Sequence, residues 1–314
     1  MLIKNASSSR IETFNTCLFK YWLTYHDKAK LKSNWGASHG NLLHDILEKF
    51  ANNSDKNWMD RLYKGYGGVL ITEDKFGAKV TLESPLIWAK PADYKDAKPE
   101  CDTCPFAKDG TCSISLQKLD DLKGCPRKLF EKSVTILKDV FRRYNPLYSD
   151  EKMLVGTEYK IEFKIPNTKV PLICILDLVI DRGNGIVEVI DYKFGNYTKD
   201  FDTLAVDVQA RICSYAARKE FIEDINKKGH NFKYVFLTFD YFMKAPSTVA
   251  FTATQDAATE QSLINTAMKI KNTTVVTRLC GDKDPTSHWK CKAMCDPDVC
   301  RAKWKGIFTV NESP

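Results

Sequence analysis

Asp177, Asp191 and Lys193 are the residues of this sequence whose types and spacing could do chemistry on a phosphate. Asp177 interrupts an otherwise apolar run from Val170 to Ile180, and Asp191 and Lys193 flank Tyr192 near the end of a second run, Ile186 to Phe194. Side chains alternate along a strand, which places Asp191 and Lys193 on one face and Tyr192 on the other. A carboxylate pair offers the hard oxygen donors that hold magnesium, and the ion would polarise a phosphoryl oxygen and acidify a bound water. The ammonium would stabilise the attacking hydroxide or the charge developing on the phosphorane. Taken alone, Asp-x-Lys reads more readily as a solvated ion pair at a strand end, with Asp177 a turn residue.

The cysteines carry a second kind of chemistry. Cys101, Cys104, Cys112 and Cys125 form a Cys-x2-Cys knuckle followed by two further thiols, with Pro105, Gly110, Gly124 and Pro126 supplying turns. This is a metal pattern, for zinc or for an iron–sulfur cluster. Cys291, Cys295 and Cys300 put three more thiols close together beside Pro297, and a fourth ligand must come from elsewhere. Cys174 and Cys213 read as small buried hydrophobes. Eleven cysteines, an odd and clustered set, do not fit a paired disulfide framework. With no apolar leader after Met1, the expectation is a cytoplasmic protein whose thiols hold metal.

The elements that must position these groups follow from periodicity. Ser9 to Glu12 has the spacing of a capping box, and the helix behind it is expected to run to about Asp27. A second helix is expected from Ser38 or Asn41 to Phe50. Residues 51–126 lose periodicity and read as a cysteine-rich insertion, too poor in apolar residues to fold without its metal. Pro126 opens a strong amphipathic helix. Leu154 to Ile165, Val170 to Ile180 and Ile186 to Phe194 alternate as three strands joined by turn residues, an antiparallel meander. A helix from Leu204 to Phe221, a strand from Phe232 to Tyr241, a short strand from Thr248 to Thr252 and a helix from Ala257 to Lys271 complete the pattern. The expected organisation is a single α/β domain over 1–314, with a βββ-α-β core at 150–241 and a loop-like, cysteine-rich tail at 280–304.

Composition limits the class without choosing the partner. At 43% hydrophobic and 28% charged residues the chain is an ordinary globular one, neither disordered nor fibrous. No apolar run approaches the roughly 20 residues of a membrane span. A net charge of +7 suits a phosphate-bearing partner but does not require one.

In this order the motifs resemble the PD-(D/E)XK nuclease superfamily, close to its RecB-like branch. The residues that carry the resemblance are Ile175-Leu-Asp177, the turn at Gly183 to Gly185, and Asp191-Tyr-Lys193-Phe-Gly195. That branch usually has Gly-x-Asp and then Asp-Tyr-Lys-Thr-Gly, so Ile175 and Phe194 depart from it without removing a ligand. The resemblance implies a restriction-endonuclease-like core, a mixed sheet flanked by helices. It also implies a magnesium or manganese ion held by His44, Asp177, Asp191 and the main-chain carbonyl of Tyr192. His44 falls in a Gly40-x-x-x-His motif on a helix, and Glu158 sits on the first strand where the branch often carries Glu. Gln209 matches the start of a Gln-x-x-x-Tyr motif whose fourth residue on is Cys213, leaving Tyr215 displaced by over half a turn from that face. Lys193 would assist the attacking water, Gln209 would orient Lys193 or the strand, and Tyr192 would be available to stack on bases.

The chain also looks like the iron–sulfur members of this branch, the AddB-type and CRISPR-adaptation nucleases. There one upstream cysteine joins three at the C-terminus, which implies a [4Fe–4S] cluster on Cys17, Cys291, Cys295 and Cys300, with zinc the other option and Cys280 a substitute ligand. The function so implied is a metal-dependent DNA exonuclease preferring single strands or free ends, in repair, recombination or phage DNA processing. Without a Gly-x4-Gly-Lys-Ser/Thr motif, unwinding would need a helicase or recombination partner. Two other readings are a nuclease-like DNA clamp with weak or no cleavage, and a zinc-stabilised scaffold. The expected setting is the cytoplasm of a bacterial or phage-infected cell.

Overall fold

The meander forms where its turns demand it. Gly183, Asn184 and Gly185 all have positive φ, at 76°, 54° and 77°, a run that glycine and asparagine adopt with least strain. That turn joins strand β2 (Pro171–Gly183) to β3 (Ile186–Lys193), and β1 (Leu154–Lys164) pairs antiparallel with β2 on its other side. The computed structural model describes residues 4–29, 35–51, 126–148, 153–194, 197–223, 231–242, 244–281, 283–288, 291 and 297–304, with short strand segments at 107–108, 111–112, 117–118 and 308–309.

Strand β4 (Tyr234–Tyr241) lies parallel to β3, so the chain must cross over between them. It does so through the short helix Phe201–Ala205 and a longer one, Val208–Arg218, which runs on into a π-turn at Lys219–Glu223. Antiparallel β5 (Ser247–Ala250) closes a five-stranded mixed sheet in the order β1-β2-β3-β4-β5. The expected single helix over Leu204 to Phe221 is therefore two, because Asp207 stops the first and caps the second, accepting a hydrogen bond from the Ala210 amide at 2.9 Å.

Helices cover both faces. Ala210, Ala216 and Ala217 of the crossover helix pack against Val187, Val189 and Leu237, small residues that let the helix approach the sheet closely. The opposite face meets helix Pro126–Tyr148, the amphipathic helix expected at Pro126. There Asp240, alternate to the core residues Phe239 and Tyr241, accepts from Arg143 Nη1 at 2.9 Å and from the Tyr144 hydroxyl. Helix Trp35–Ala51 begins before the expected Ser38 and packs on the Pro126–Tyr148 helix and on β1. The helix Ala253–Asn272 has a full capping box at Thr252 and Gln255, four residues ahead of the expected start.

The two ends of the described chain meet. Ala6 bridges to β2, its amide donating to Pro171 O and its carbonyl accepting from Ile173 N, both at 2.8 Å. The expected first helix is split into Ser8–Thr16 and Leu18–Tyr25, because Cys17 is extended, with φ −156° and ψ 112°. Its cap is Ser7, whose Oγ accepts from Arg10 N, and not Ser9. The Phe19 amide donates to Thr277 O at 3.0 Å, tying the second helix to the C-terminal stretch. The tail is less loop-like than expected: Pro297 opens a helix, Pro297–Lys303, its fixed φ suiting a first helical position. Of the insertion, only three two-residue strands lie among the described residues.

Asp240 is fully buried, so removing it would leave the buried Tyr144 hydroxyl without its acceptor and Arg143 with Asp139 alone as its carboxylate. Asp240→Ala is expected to cost about 1–3 kcal/mol in urea unfolding at neutral pH.

Candidate metal and catalytic site

The carboxylates converge at one end of the sheet. Asp177 interrupts β2, and its Oδ2 accepts from the Tyr192 amide on β3 at 2.7 Å, locking the two strands together where they carry their acids. Asp191 faces the crossover helix, and its Oδ1 accepts from Gln209 Nε2 at 2.7 Å. Gln209 Oε1 in turn accepts from Lys193 Nζ at 2.9 Å, and Lys193 also pairs directly with Asp191. One glutamine amide thus fixes a carboxylate with its nitrogen and an ammonium with its oxygen. It can do so because Gln209 lies in the first turn of the helix that Asp207 caps.

His44 enters from the helix Trp35–Ala51. Its Nδ1 lies 3.6 Å from Asp177 Oδ2 and 3.8 Å from Glu158 Oε1. His44, Glu158 and Asp177 each present a ligand atom within 4.8 Å of the others, a spacing that suits one shared cation. The imidazole is packed edge-on against Phe194, at 5.2 Å, and Phe194 stacks on Phe242 at 4.9 Å. Glu158 reaches the cluster from the middle of β1 in a left-handed conformation, φ 44°, which a non-glycine residue adopts at a cost.

Electrostatics show what the cluster lacks. Burial pushes the Asp177 carboxyl well up, and the neighbouring Asp191 and Glu158 charges add to it. Burial, Glu48 and Asp191 raise Glu158 in the same way. Burial lowers His44, favouring the neutral imidazole that binds metal. Burial opposes the charge on Lys193, but Asp191 outweighs it and holds the ammonium pKa above its ordinary value. A divalent cation would relieve the carboxylate repulsion directly. The donor set, oxygens with one neutral imidazole, suits magnesium or manganese.

The remaining residues singled out in the sequence are placed as follows. The Tyr192 ring is 4% exposed, packed against Tyr144 and Phe242, so it is closed to stacking on bases. Tyr215 points away from the cluster, its hydroxyl donating to Glu260 at 2.5 Å. Cys213 fills the place of the motif tyrosine and lies 3.5 Å from Cys174, both buried. Glu48, one helical turn after His44, was not singled out; the four-residue spacing on one helix face was the available signal. Glu158's backbone conformation had none.

Thiols gather where the chain ends meet. Cys17 Sγ accepts from Lys20 N at 3.5 Å and from Leu279 N at 3.4 Å, which is why the helix breaks at Cys17. Cys17 and Cys300 share one apolar cluster with Phe14, Phe19 and Val276. Burial raises the Cys300 thiol against the pull of Arg278, and nearby Cys280 and Cys17 raise it further. Arg278 Nη1 points at Cys300 Sγ from 3.7 Å, with its other nitrogens on Gly281 O and Lys283 O and its plane over Trp304. Cys280, Cys291 and Cys300 are all buried. Cys295, Cys101, Cys104, Cys125 and the side chain of Cys112 lie outside the described residues.

A family model described as the PD-(D/E)XK nuclease superfamily matches residues 5–67 and 116–301. Among solved structures, a candidate exonuclease from Eubacterium rectale aligns over 99% of this chain and 90% of its own, at 10% identity and a TM-score of 0.46. SSO0001 aligns over 46% of this chain and 62% of its own, at 11% identity and a TM-score of 0.27. No curated protein matches by sequence. Among the described residues no helix is long and apolar enough to cross a membrane.

The raised carboxyls predict a reversed pH response. A carboxyl raised by folding binds its proton more tightly in the native state, so the metal-free protein should lose stability as pH climbs from the ordinary carboxylate range through the raised values. Magnesium or manganese competes with those protons, so the rise in Tm on adding metal should grow between about pH 5 and pH 8. A metal-induced shift that shrinks with pH would contradict this assignment of the cluster.

Proposed function

The chain belongs to the PD-(D/E)XK nuclease superfamily, and we propose that it is a magnesium- or manganese-dependent DNA exonuclease preferring single strands or free ends. The observation that carries this reading is the shared hydrogen-bond path from Asp191 through Gln209 to Lys193, beside the His44, Glu158 and Asp177 cluster. His44, Asp177, Asp191 and the Tyr192 carbonyl would hold the metal, which when bound acidifies a water and neutralises phosphate charge. Glu158 adds a carboxylate to the same pocket. Lys193, kept charged by Asp191, stabilises hydroxide or the developing phosphorane rather than abstracting a proton. Gln209 orients both partners, and Tyr215, bonded to Glu260, takes no direct part. The reaction would serve repair, recombination or phage DNA processing, with a helicase partner supplying unwinding where a duplex must be opened.

We further propose a [4Fe–4S] cluster on Cys17, Cys291, Cys295 and Cys300. The convergence of Cys17 and Cys300 in one apolar cluster, with Arg278 directed at the Cys300 sulfur, supports a charged thiolate centre there. Cys280, buried and near enough to raise the Cys300 thiol, is the substitute ligand. Its role would be to staple the first helices to the tail. For Cys101, Cys104, Cys112 and Cys125 the proposal is zinc, with a second cluster as the other metal centre those thiols could form.

Asp177→Ala and Lys193→Ala are expected to lower metal-dependent DNA hydrolysis by about 100-fold or more while leaving DNA binding in calcium largely intact. A wild type that binds DNA without cleaving it in magnesium or manganese would instead make the protein a DNA clamp. For the thiols, protein purified without oxygen should carry iron and sulfide in equal amounts, and Cys17→Ser should lose both; a colourless zinc protein would refute the cluster.

A further inference from the structure

Burial of Tyr192 leaves open what holds a base beside the reacting phosphate. Two aromatic side chains immediately downstream are exposed: Tyr197 is 72% and Phe201 59% accessible. Lone exposed apolar residues are ordinary on a protein surface. These two sit four residues apart on a segment tied to the catalytic end of the sheet. Lys199, midway between them, donates its amide to the Tyr241 hydroxyl at 3.0 Å, and Tyr241 is the register partner of Lys193 on the parallel strand. The Lys199 and Lys193 ammonium groups both lie over the ring of Phe239, at 5.6 and 4.6 Å from its centroid. Lys199 also pairs with Asp207, the cap of the helix that carries Gln209. Three anchors, to β4, to Phe239 and to the Gln209 helix, therefore fix this segment against the residues that would act on phosphate. The backbone and the lysine are turned inward, and the two rings are turned to solvent.

We propose that Tyr197 and Phe201 form a stacking platform for bases of a single DNA strand whose phosphate lies at Lys193. The inference rests on the nuclease reading above and adds the residues that select the strand. In a duplex, bases already stack on one another and present only their edges, whereas an unpaired base offers a free face to an aromatic ring. The platform would therefore discriminate single-stranded from double-stranded substrate without reading sequence. Stacking displaces no counterions, so its contribution should be insensitive to salt, unlike that of the lysines.

The test uses the full-length protein and a fluorescent oligothymidylate, with binding read by anisotropy in calcium and hydrolysis in magnesium. Tyr197→Ala with Phe201→Ala is expected to weaken single-strand binding by about tenfold or more and to raise KM by a similar factor, with kcat nearly unchanged. The slope of affinity against salt should stay that of wild type, and the double variant Tyr197→Phe with Phe201→Tyr should restore binding. Both side chains are exposed, so Tm should not move. Wild-type affinity in the alanine variant, or an equal loss for a blunt duplex, would overturn the platform. Failure of the nuclease reading would look different: wild type would bind the oligonucleotide and leave it uncut.

Discussion

Asp177, Asp191 and Glu158 are drawn into one half-buried space, with Glu48 close enough to add to their repulsion. Like charges at that spacing in a low dielectric oppose folding, and much of the local structure answers them. The Tyr192 amide donates to Asp177, Lys193 pairs with Asp191, and Gln209 gives its amide N–H to Asp191 while accepting from Lys193. These partners come from β3 and from the crossover helix, so the parallel β3–β4 connection is itself part of the compensation. What they leave is a residual negative charge that a divalent cation would relieve. The proposed chemistry would thus draw on an electrostatic deficit built into the fold.

Much of this was legible from residue order. The alternating runs and the glycine-rich turn marked the meander, and an aspartate inside an apolar strand marked the site. Long, strongly periodic helices such as Pro126–Tyr148 declared themselves. The failures fall where tertiary partners override local pattern. Cys17 sits within a continuous helical periodicity, yet its sulfur accepts the Leu279 amide, a contact that no local rule could contain. Pro297 read as the closing of a loop, but proline is also a favoured first residue of a helix, and context decides between the two. Tyr192 alternates away from the acids as expected, but whether the far face of the strand is solvent or core depends on Tyr144 and Phe242, remote in sequence. Glu158 offered a charge at the right strand position; its left-handed backbone did not follow from residue type.

Two of the departures from the RecB-like pattern that the sequence resembles place packing residues beside the cluster. Phe194, in place of the customary threonine, builds an aromatic wall with Phe242 that fixes the edge of His44. Cys213, in place of the motif tyrosine, packs on Cys174 beneath the sheet and adds to an apolar floor under Lys193. Neither residue is a ligand, and both pack beside the cluster.

The break at Cys17 also bears on how the chain is made. The sulfur and the amide that donates to it are separated by 262 positions, so the contact that ends the first helix closes a very long loop. At a synthesis rate of about 5 to 20 residues per second, the N-terminal helices wait some tens of seconds on the ribosome before Leu279 exists. During that interval Cys17 and the apolar faces of Phe14 and Phe19 have no C-terminal surface to cover them. A stretch synthesised 262 residues later is therefore required to finish these helices.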